Sequence, residues 1–127
     1  MNAAPVTMDH YQHLASGTAI YPGVGWYTSN EAESDFERML PLLYLGLKLS
    51  GEAGEVSEKI GKALRDGVTD EKEWSRMLGK ELGDVLWYVS QIARELGYTL
   101  SMVAEENLNK LSDRAIRGTL SGSGDDR

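Results

Sequence analysis

The sequence predicts an all-α fold of the four-helix-bundle type, with two long central helices. In four segments apolar residues recur with the 3.6-residue period of an α-helix, and glycine or proline separates these segments. No segment shows the alternating polarity of a half-buried strand. The chain has 127 residues, which suits one domain, and chains of this size often complete their core by self-association. We therefore expect a single domain over residues 1–127 whose core is completed in a homo-oligomer.

The first two predicted helices are separated by a glycine-rich loop. The apolar pattern predicts a first helix over about residues 8–18, and the run Tyr21-Pro-Gly-Val-Gly25 ends it. A second helix is predicted over about residues 35–65. Ser34, followed three residues later by glutamate, has the form of a capping box at its start. Pro41 should bend this helix in its second turn.

The third predicted helix, about residues 70–96, has the clearest amphipathic pattern in the chain. A fourth helix, capped by Thr99 or Ser101, should run to about residue 117. Residues 119–127 are small and polar, so we predict a flexible tail. The apolar residues predicted to face inward on the second and fourth helices are Leu42, Leu45, Leu49, Ala53, Val56, Ile60 and Leu64, and Leu100, Val103, Ala104, Leu108, Leu111 and Ala115.

Composition excludes several classes of function. Formal net charge is −7, from 20 acidic and 13 basic residues, so a long polyanion such as nucleic acid is an improbable main partner. No cysteine is present, which excludes disulfides, a thiolate nucleophile and a cysteine-based zinc site, and fits a reducing cytoplasm. No apolar run approaches the ~20 residues that span a bilayer, and no secretion leader is recognisable at the start. We expect a cytoplasmic protein without a membrane partner.

Two acidic pairs are the most informative feature of the sequence. Glu52 and Glu55 lie on the second helix, and Glu81 and Asp84 lie on the third. Each pair has i, i+3 spacing, so each puts two carboxylates on one helix face. If the two helices lie side by side, the four carboxylates converge. Four oxygen ligands without cysteine or histidine suit Mg²⁺, with Mn²⁺ as a possible substitute, rather than zinc.

Glycines accompany the acidic pairs. Gly51, Gly54 and Gly83 stand within or beside them, and each costs ~1 kcal/mol of helix stability relative to alanine. Close approach of a neighbouring helix or a ligand would offset that cost, and so would packing of small residues. The sequence leaves both explanations open.

Two other classes of function compete with a magnesium enzyme. A di-metal carboxylate bundle with redox chemistry also assembles acidic residues from helix pairs, but it normally uses Glu-x-x-His motifs, which are absent here. A non-enzymatic helical interaction module would leave the acidic face solvated. Titration with a divalent metal followed by thermal melting distinguishes an interaction module from a metal site, because only a specific metal site stabilises the folded state strongly.

The acidic pairs and their surroundings resemble a known signature. A Glu-x-x-Glu followed, after the 25 residues from Val56 to Lys80, by a Glu-x-x-Asp is similar to the signature of the MazG-like, all-α nucleoside triphosphate pyrophosphohydrolases. The resemblance covers roughly residues 42–117. Its segments are Gly51-Glu-Ala-Gly-Glu-Val56, Lys59-Ile-Gly-Lys-Ala-Leu-Arg-Asp66, Glu81-Leu-Gly-Asp-Val-Leu-Trp-Tyr88, and Asn107-Leu-Asn-Lys-Leu111 with Arg114.

The resemblance implies hydrolysis of a (deoxy)nucleoside triphosphate to the monophosphate and pyrophosphate, in nucleotide-pool control or house-cleaning. Mg²⁺ ions would be held by the four acidic positions. Asn107, Lys110 and Arg114 would contact the sugar and phosphates of the substrate. Tyr88, four residues after Asp84, lies on the ligand face and is a candidate for a sugar or base contact. The subunit arrangement implied is a homodimer or homotetramer.

The general base is left open by one departure from the family pattern. Many relatives have a glutamate directly before the first motif position, where this chain has Gly51. Glu52 or Glu55 could activate water in addition to holding metal, or no separate base is needed. Lys59 and Lys62 form another basic pair that could contact phosphate, but they lie towards a helix C-terminus, where the helix dipole already gives a reason for them. Residues 122–127 resemble a terminal segment of relatives, and we predict that they order on substrate.

Overall fold

A computed structural model describes residues 4–123, and in this part of the chain it contains four α-helices and no strand. The predicted all-α class is confirmed. The predicted behaviour of residues 124–127 lies outside the described residues. No helix of the described part is both long and apolar enough to cross a membrane. The helices are α1 (Met8–Ser16), α2 (Asp35–Asp66), α3 (Glu71–Glu95) and α4 (Leu100–Arg117).

Each described helix begins with a side chain that accepts a hydrogen bond from the backbone N–H three residues later. These capping residues are Thr7, Ser34, Asp70 and Thr99. The Ser34 cap is confirmed, although the Glu37 carboxylate accepts a bond from the N–H of Glu33 rather than from that of Ser34. Thr99 is the cap of α4. The N–H of Ser101 instead donates to Asp9 at 2.9 Å.

The end of α1 differs in detail from the prediction, whereas the end of α2 agrees with it. α1 ends at Ser16, two residues earlier than predicted, because the N–H groups of Gly17 and Thr18 bond to carbonyls three residues back. α2 continues through Pro41, whose side chain is buried. Gly67 follows α2 with φ 79°, a left-handed conformation that favours glycine.

α2 and α3 form the central pair of the structure. They are joined by a short turn and make by far the most extensive helix–helix contact. α1 packs against α3 and α4, and α4 packs against α1 and α3. Within the described residues, α4 makes no backbone contact with α2. The face of α2 turned away from α3 is therefore left without a helix from the same chain.

A buried glutamine joins α1 to the end of α3 and the start of α4. The Gln12 amide donates to the carbonyl oxygens of Ser90 at 3.1 Å and Tyr98 at 3.0 Å. Its carbonyl accepts a bond from the N–H of Leu100 at 3.1 Å. These partners are 78 to 88 residues away in sequence, so the contact fixes α1 on the bundle.

A buried carboxylate anchors the loop that follows α1. Glu95 is 1 % exposed, and its Oε1 accepts hydrogen bonds from the Tyr21 hydroxyl at 2.7 Å and the Gly25 N–H at 2.8 Å. Burial, and then the contact with Glu95, raises the pKa of Tyr21 well above its usual range. No sequence pattern marks Glu95, and the glycine-rich loop is predicted from the sequence only as the end of the first helix.

Several predicted core leucines are exposed in the single chain. Leu64 is 83 % exposed and Leu108 is 63 % exposed, so the prediction that they face inward is wrong within one chain. Leu111 is also exposed. By contrast, Leu45 and Leu100 are fully or almost fully buried, as predicted. One chain therefore leaves a large apolar surface uncovered, which is unusual for a protein that remains monomeric.

Replacing Gln12 by methionine should lower the free energy of unfolding by about 2–4 kcal/mol, because it strands a buried N–H and two carbonyls. Urea denaturation at one fixed protein concentration measures the loss. The matched control is His13→Met at the neighbouring exposed position, which should change stability by less than about 0.5 kcal/mol. Equal effects of the two substitutions would contradict the structural role of Gln12.

Candidate active site

Three of the four carboxylates that the sequence predicts to converge lie close together. Glu52, Glu55 and Glu81 can each offer one carboxylate oxygen, and these oxygens lie within 4.8 Å of one another. We refer to these three residues as the acidic cluster. Asp84 lies outside the cluster but lines a cavity together with Glu52. No histidine or cysteine joins the cluster in residues 4–123, so its ligands are oxygens only.

Crowding of carboxylates raises the energy of the charged cluster. A hydrogen bond with Glu81, followed by the charges of Glu81 and Glu52, raises the pKa of Glu55. Lys59 Nζ lies 3.2 Å from Glu81 Oε1, and Lys48 Nζ lies 3.8 Å from Glu52 Oε1. A bound divalent cation would offset the remaining repulsion, and oxygen-only ligands suit a hard cation such as Mg²⁺. The residues present therefore fit the metal that the family resemblance implies.

An aromatic cavity of about 430 Å³ opens beside the acidic residues. It is lined by Thr18, Glu52, Asp84, Trp87 and Tyr88. The Trp87 indole donates to the Thr18 hydroxyl at 2.8 Å, and the rings of Trp87 and Tyr88 meet edge to face at 4.9 Å. Tyr88 thus lies beside the acidic residues, where the sequence analysis predicted it. Trp87 lines the cavity as well.

A second depression, the hairpin groove, runs from the acidic cluster towards the turn between α2 and α3. Its volume is about 380 Å³. Its lining includes Glu55, Lys59, Lys62 and Trp74. The two openings share the carboxylates of α2 as their border, because Glu52 lines one and Glu55 lines the other. An extended ligand placed over the cluster would have room on both sides.

The predicted substrate contacts of α4 lie elsewhere in the single chain. Asn107 and Lys110 line a cavity of about 390 Å³ that contains none of the acidic pairs. Arg114, predicted to share their face, is 6 % exposed and is buried against the bundle. Within residues 4–123, the backbone of α4 makes no contact with that of α2. One copy therefore does not bring these three residues together with the acidic cluster.

The glycines beside the acidic pairs have open space around them. A Cβ added at Gly51, Gly54 or Gly83 would meet no heavy atom within 4 Å outside its own helix backbone and immediate neighbours. Close packing within the chain therefore does not explain these glycines. Among residues 4–123 no neighbouring helix approaches these glycines closely, so approach of a ligand or of a helix from a second copy stays a prediction.

An all-α hairpin that presents a carboxylate cluster between two openings defines a candidate divalent-metal protein. Residues 42–117 match the MazG nucleotide pyrophosphohydrolase domain, and the chain belongs to this family. The chain is also similar to the Gene 37 protein of Mycobacterium phage L5. The two are 46 % identical over 122 residues, which cover 94 % of this chain and 98 % of that protein. No solved structure matches the chain.

Sequence reasoning missed three contributors to the site. Thr18 lies far from the acidic pairs in sequence, and no local motif marks it. Glu95 acts through the loop after α1, and its buried position gives no periodic signal. Lys59 belongs to one of the segments that resemble the family, but only the structure shows that it forms an ion pair between α2 and α3.

Mg²⁺ should raise the melting temperature of the protein, because a cation that binds only the folded state stabilises it. At a free concentration about 100 times the Kd, the stabilisation is ~2.7 kcal/mol. Glu81→Gln should remove most of this response. Glu73→Gln, on the same helix about two turns earlier, is the control and should keep it. Scanning calorimetry at matched ionic strength measures the shift, and equal responses of both variants would contradict a specific site.

Proposed function

We propose that the protein hydrolyses (deoxy)nucleoside triphosphates to the monophosphate and pyrophosphate with Mg²⁺, or Mn²⁺ as a substitute. Its role would be control or cleaning of the nucleotide pool in the cytoplasm. The observation that carries the proposal is the convergence of three carboxylates within 4.8 Å in a chain of the MazG family. The two openings beside them give a triphosphate room to lie across the cluster.

The four acidic residues are proposed as the metal ligands. Glu52, Glu55 and Glu81 form the cluster, and Asp84 extends it into the aromatic cavity. Mg²⁺ would supply charge neutralisation of the phosphates and polarisation of the scissile linkage. The protein's own contribution is to hold the carboxylates in place on two packed helices. Water would form a new P–O bond as the α–β phosphoanhydride bond breaks, its proton would pass to Glu52, Glu55 or solvent, and pyrophosphate would leave.

Glu52 and Glu55 are the two candidates for a general base. Glu52 is partly buried and has Lys48 as a neighbour, whereas Glu55 is exposed at the edge of the hairpin groove. Both could hold metal and accept a proton, so the assignment depends on kinetics. A base would affect kcat far more than metal affinity, whereas a pure ligand would affect both.

The aromatic cavity is proposed to receive the nucleoside. Tyr88 lines this cavity together with Asp84, and Trp87 is held by its bond to Thr18. An aromatic face stacks on any base, so this wall provides affinity with little base selectivity. Selection among bases would have to come from hydrogen bonds at the cavity rim.

The proposed assembly is a homodimer or homotetramer. Exposed leucines on α2 and α4 favour it, because they would be buried against a second copy. Asn107, Lys110 and Arg114 are proposed to act in that assembly, where α4 of one copy could lie near the acidic cluster of another. Their separation from the cluster within one chain is the observation that motivates this placement.

Incubation with each common NTP and dNTP plus Mg²⁺ should give monophosphate and pyrophosphate from at least one nucleotide. Anion-exchange chromatography separates these products from diphosphate and orthophosphate. Glu55→Gln and Asp84→Asn should lower kcat/KM on the order of 100-fold or more, because the charge is lost and the size is kept.

The control for these variants is Glu58→Gln, one turn beyond Glu55 on the same helix, where the carboxylate pairs with Lys62. It should retain most of the activity. Diphosphate as the product would overturn the proposed bond cleavage. No turnover across the panel, with no metal response, would favour the interaction module instead.

Light scattering at micromolar concentration should report a dimer or a tetramer. Leu108→Lys should shift the protein towards the monomer, because a charge is expensive in an apolar interface. Asn109→Lys adds the same charge at an exposed position that lies about 100° around α4 from Leu108, and it is the matched control. A wild-type monomer, or equal dissociation of both variants, would contradict the proposed assembly.

A further inference from the structure

Lys59 forms an ion pair unlike the neighbouring ones. Its Nζ lies 3.2 Å from Glu81 Oε1, so the pair joins α2 to α3. The side chains of Lys59 and Glu81 are only 27 % and 15 % exposed. By comparison, the pair of Lys62 with Glu58 lies along one helix, with side chains 56 % and 62 % exposed. Solvent therefore screens the Lys59 pair much less.

The helix dipole does not account for this lysine. Lys59 stands seven residues before Asp66, the last residue of α2, which is about two turns. The dipole acts within the last turn, where Arg65 is the basic residue. The position of Lys59 is instead explained by the acidic cluster, because Glu81 is one of its three members.

Lys59 also borders the hairpin groove, so its ammonium group can lie either against Glu81 or in the groove. The groove begins at Glu55 and is lined by Lys59 itself. A lysine ammonium is a compact charge on a flexible four-carbon stem, so it can move a few ångströms without any change in the backbone. A phosphate placed in this groove next to the cluster would be within its reach.

We propose that Lys59 is a built-in counter-cation of the acidic cluster, which a divalent cation displaces from Glu81 towards the phosphates of the bound nucleotide. This inference rests on the proposed function for its second half only. The first half, competition with the metal ion, concerns residues already in contact. It predicts that Lys59 weakens metal binding and strengthens nucleotide binding.

The two effects have opposite signs, which makes them easy to separate. The repulsion between a monovalent and a divalent cation ~5 Å apart can be calculated with the dielectric constant of water. It corresponds to a change in the affinity for the divalent cation on the order of tenfold. Removing the Lys59 charge should therefore tighten Mg²⁺ binding. The same change removes one charge contact to phosphate, so nucleotide binding should weaken.

The test compares Lys59→Met with Lys62→Met, which removes the same charge one turn further along α2. Titration calorimetry with MgCl₂ alone should give a Kd about tenfold lower for Lys59→Met and within twofold of wild type for Lys62→Met. At saturating Mg²⁺, Lys59→Met should raise KM about tenfold, and Lys59→Arg should restore most of the loss. If Lys59→Met does not fold, Lys59→Gln serves in the same measurements.

Each result decides one part of the inference. Unchanged Mg²⁺ affinity in Lys59→Met, or an equal gain in Lys62→Met, overturns the competition. Unchanged KM with tighter Mg²⁺ binding overturns the phosphate contact. If wild-type protein hydrolyses nothing, binding of a triphosphate with a non-hydrolysable α–β linkage replaces KM. Tighter Mg²⁺ binding and weaker analogue binding by Lys59→Met would then support the proposed role of Lys59, even though the proposed hydrolysis fails.

Discussion

The packing of α2 against α3 is the constraint on which the candidate site depends. Glu55 lies 12 residues before Gly67, and Glu81 lies 11 residues after Asp70. Two helices that run back along each other from a short turn rise equally per residue, so these positions reach the same level. The i, i+3 spacing then brings Glu52 to the same face. Like charges repel there, and tertiary packing holds them together.

The buried polar contacts transmit this packing to the wall of the aromatic cavity. Glu95 holds Tyr21, and the Tyr21 ring meets Trp87 edge to face at 6.3 Å. Trp87 in turn bonds to Thr18 and lines the cavity beside Asp84. A buried carboxylate is costly unless it is hydrogen-bonded. Two hydrogen bonds from the loop to Oε1 of Glu95 offset part of this cost and give the loop a defined shape, whereas Oε2 is buried without a hydrogen-bond partner among the described residues.

The sequence predicted those parts of the structure that depend on local periodicity and spacing. The four helices, the Ser34 cap and the meeting of Glu52, Glu55 and Glu81 all follow from patterns within about one helix length. Contacts between distant residues were not predictable in this way. The partners of Glu95 are 70 and 74 residues away, and no periodic pattern encodes such pairs. The exposure of Leu108 also escaped prediction, because a 3.6-residue period identifies an apolar face but not what covers it.

Charge balance links the acidic cluster to the basic residues around it. A polyphosphate approaching a chain of net charge −7 meets repulsion, and the cluster concentrates that repulsion at one point. A divalent cation offsets part of it, and Lys59 is the partly buried cation that pairs with the cluster across the helices. Lys110 and Arg114 lie on α4, whose backbone makes no contact with that of α2 within residues 4–123. In the assembly that we propose, a second copy would add these cations to the phosphate side of the site. The contact that buries the exposed leucines would then also reduce the electrostatic cost of binding the substrate.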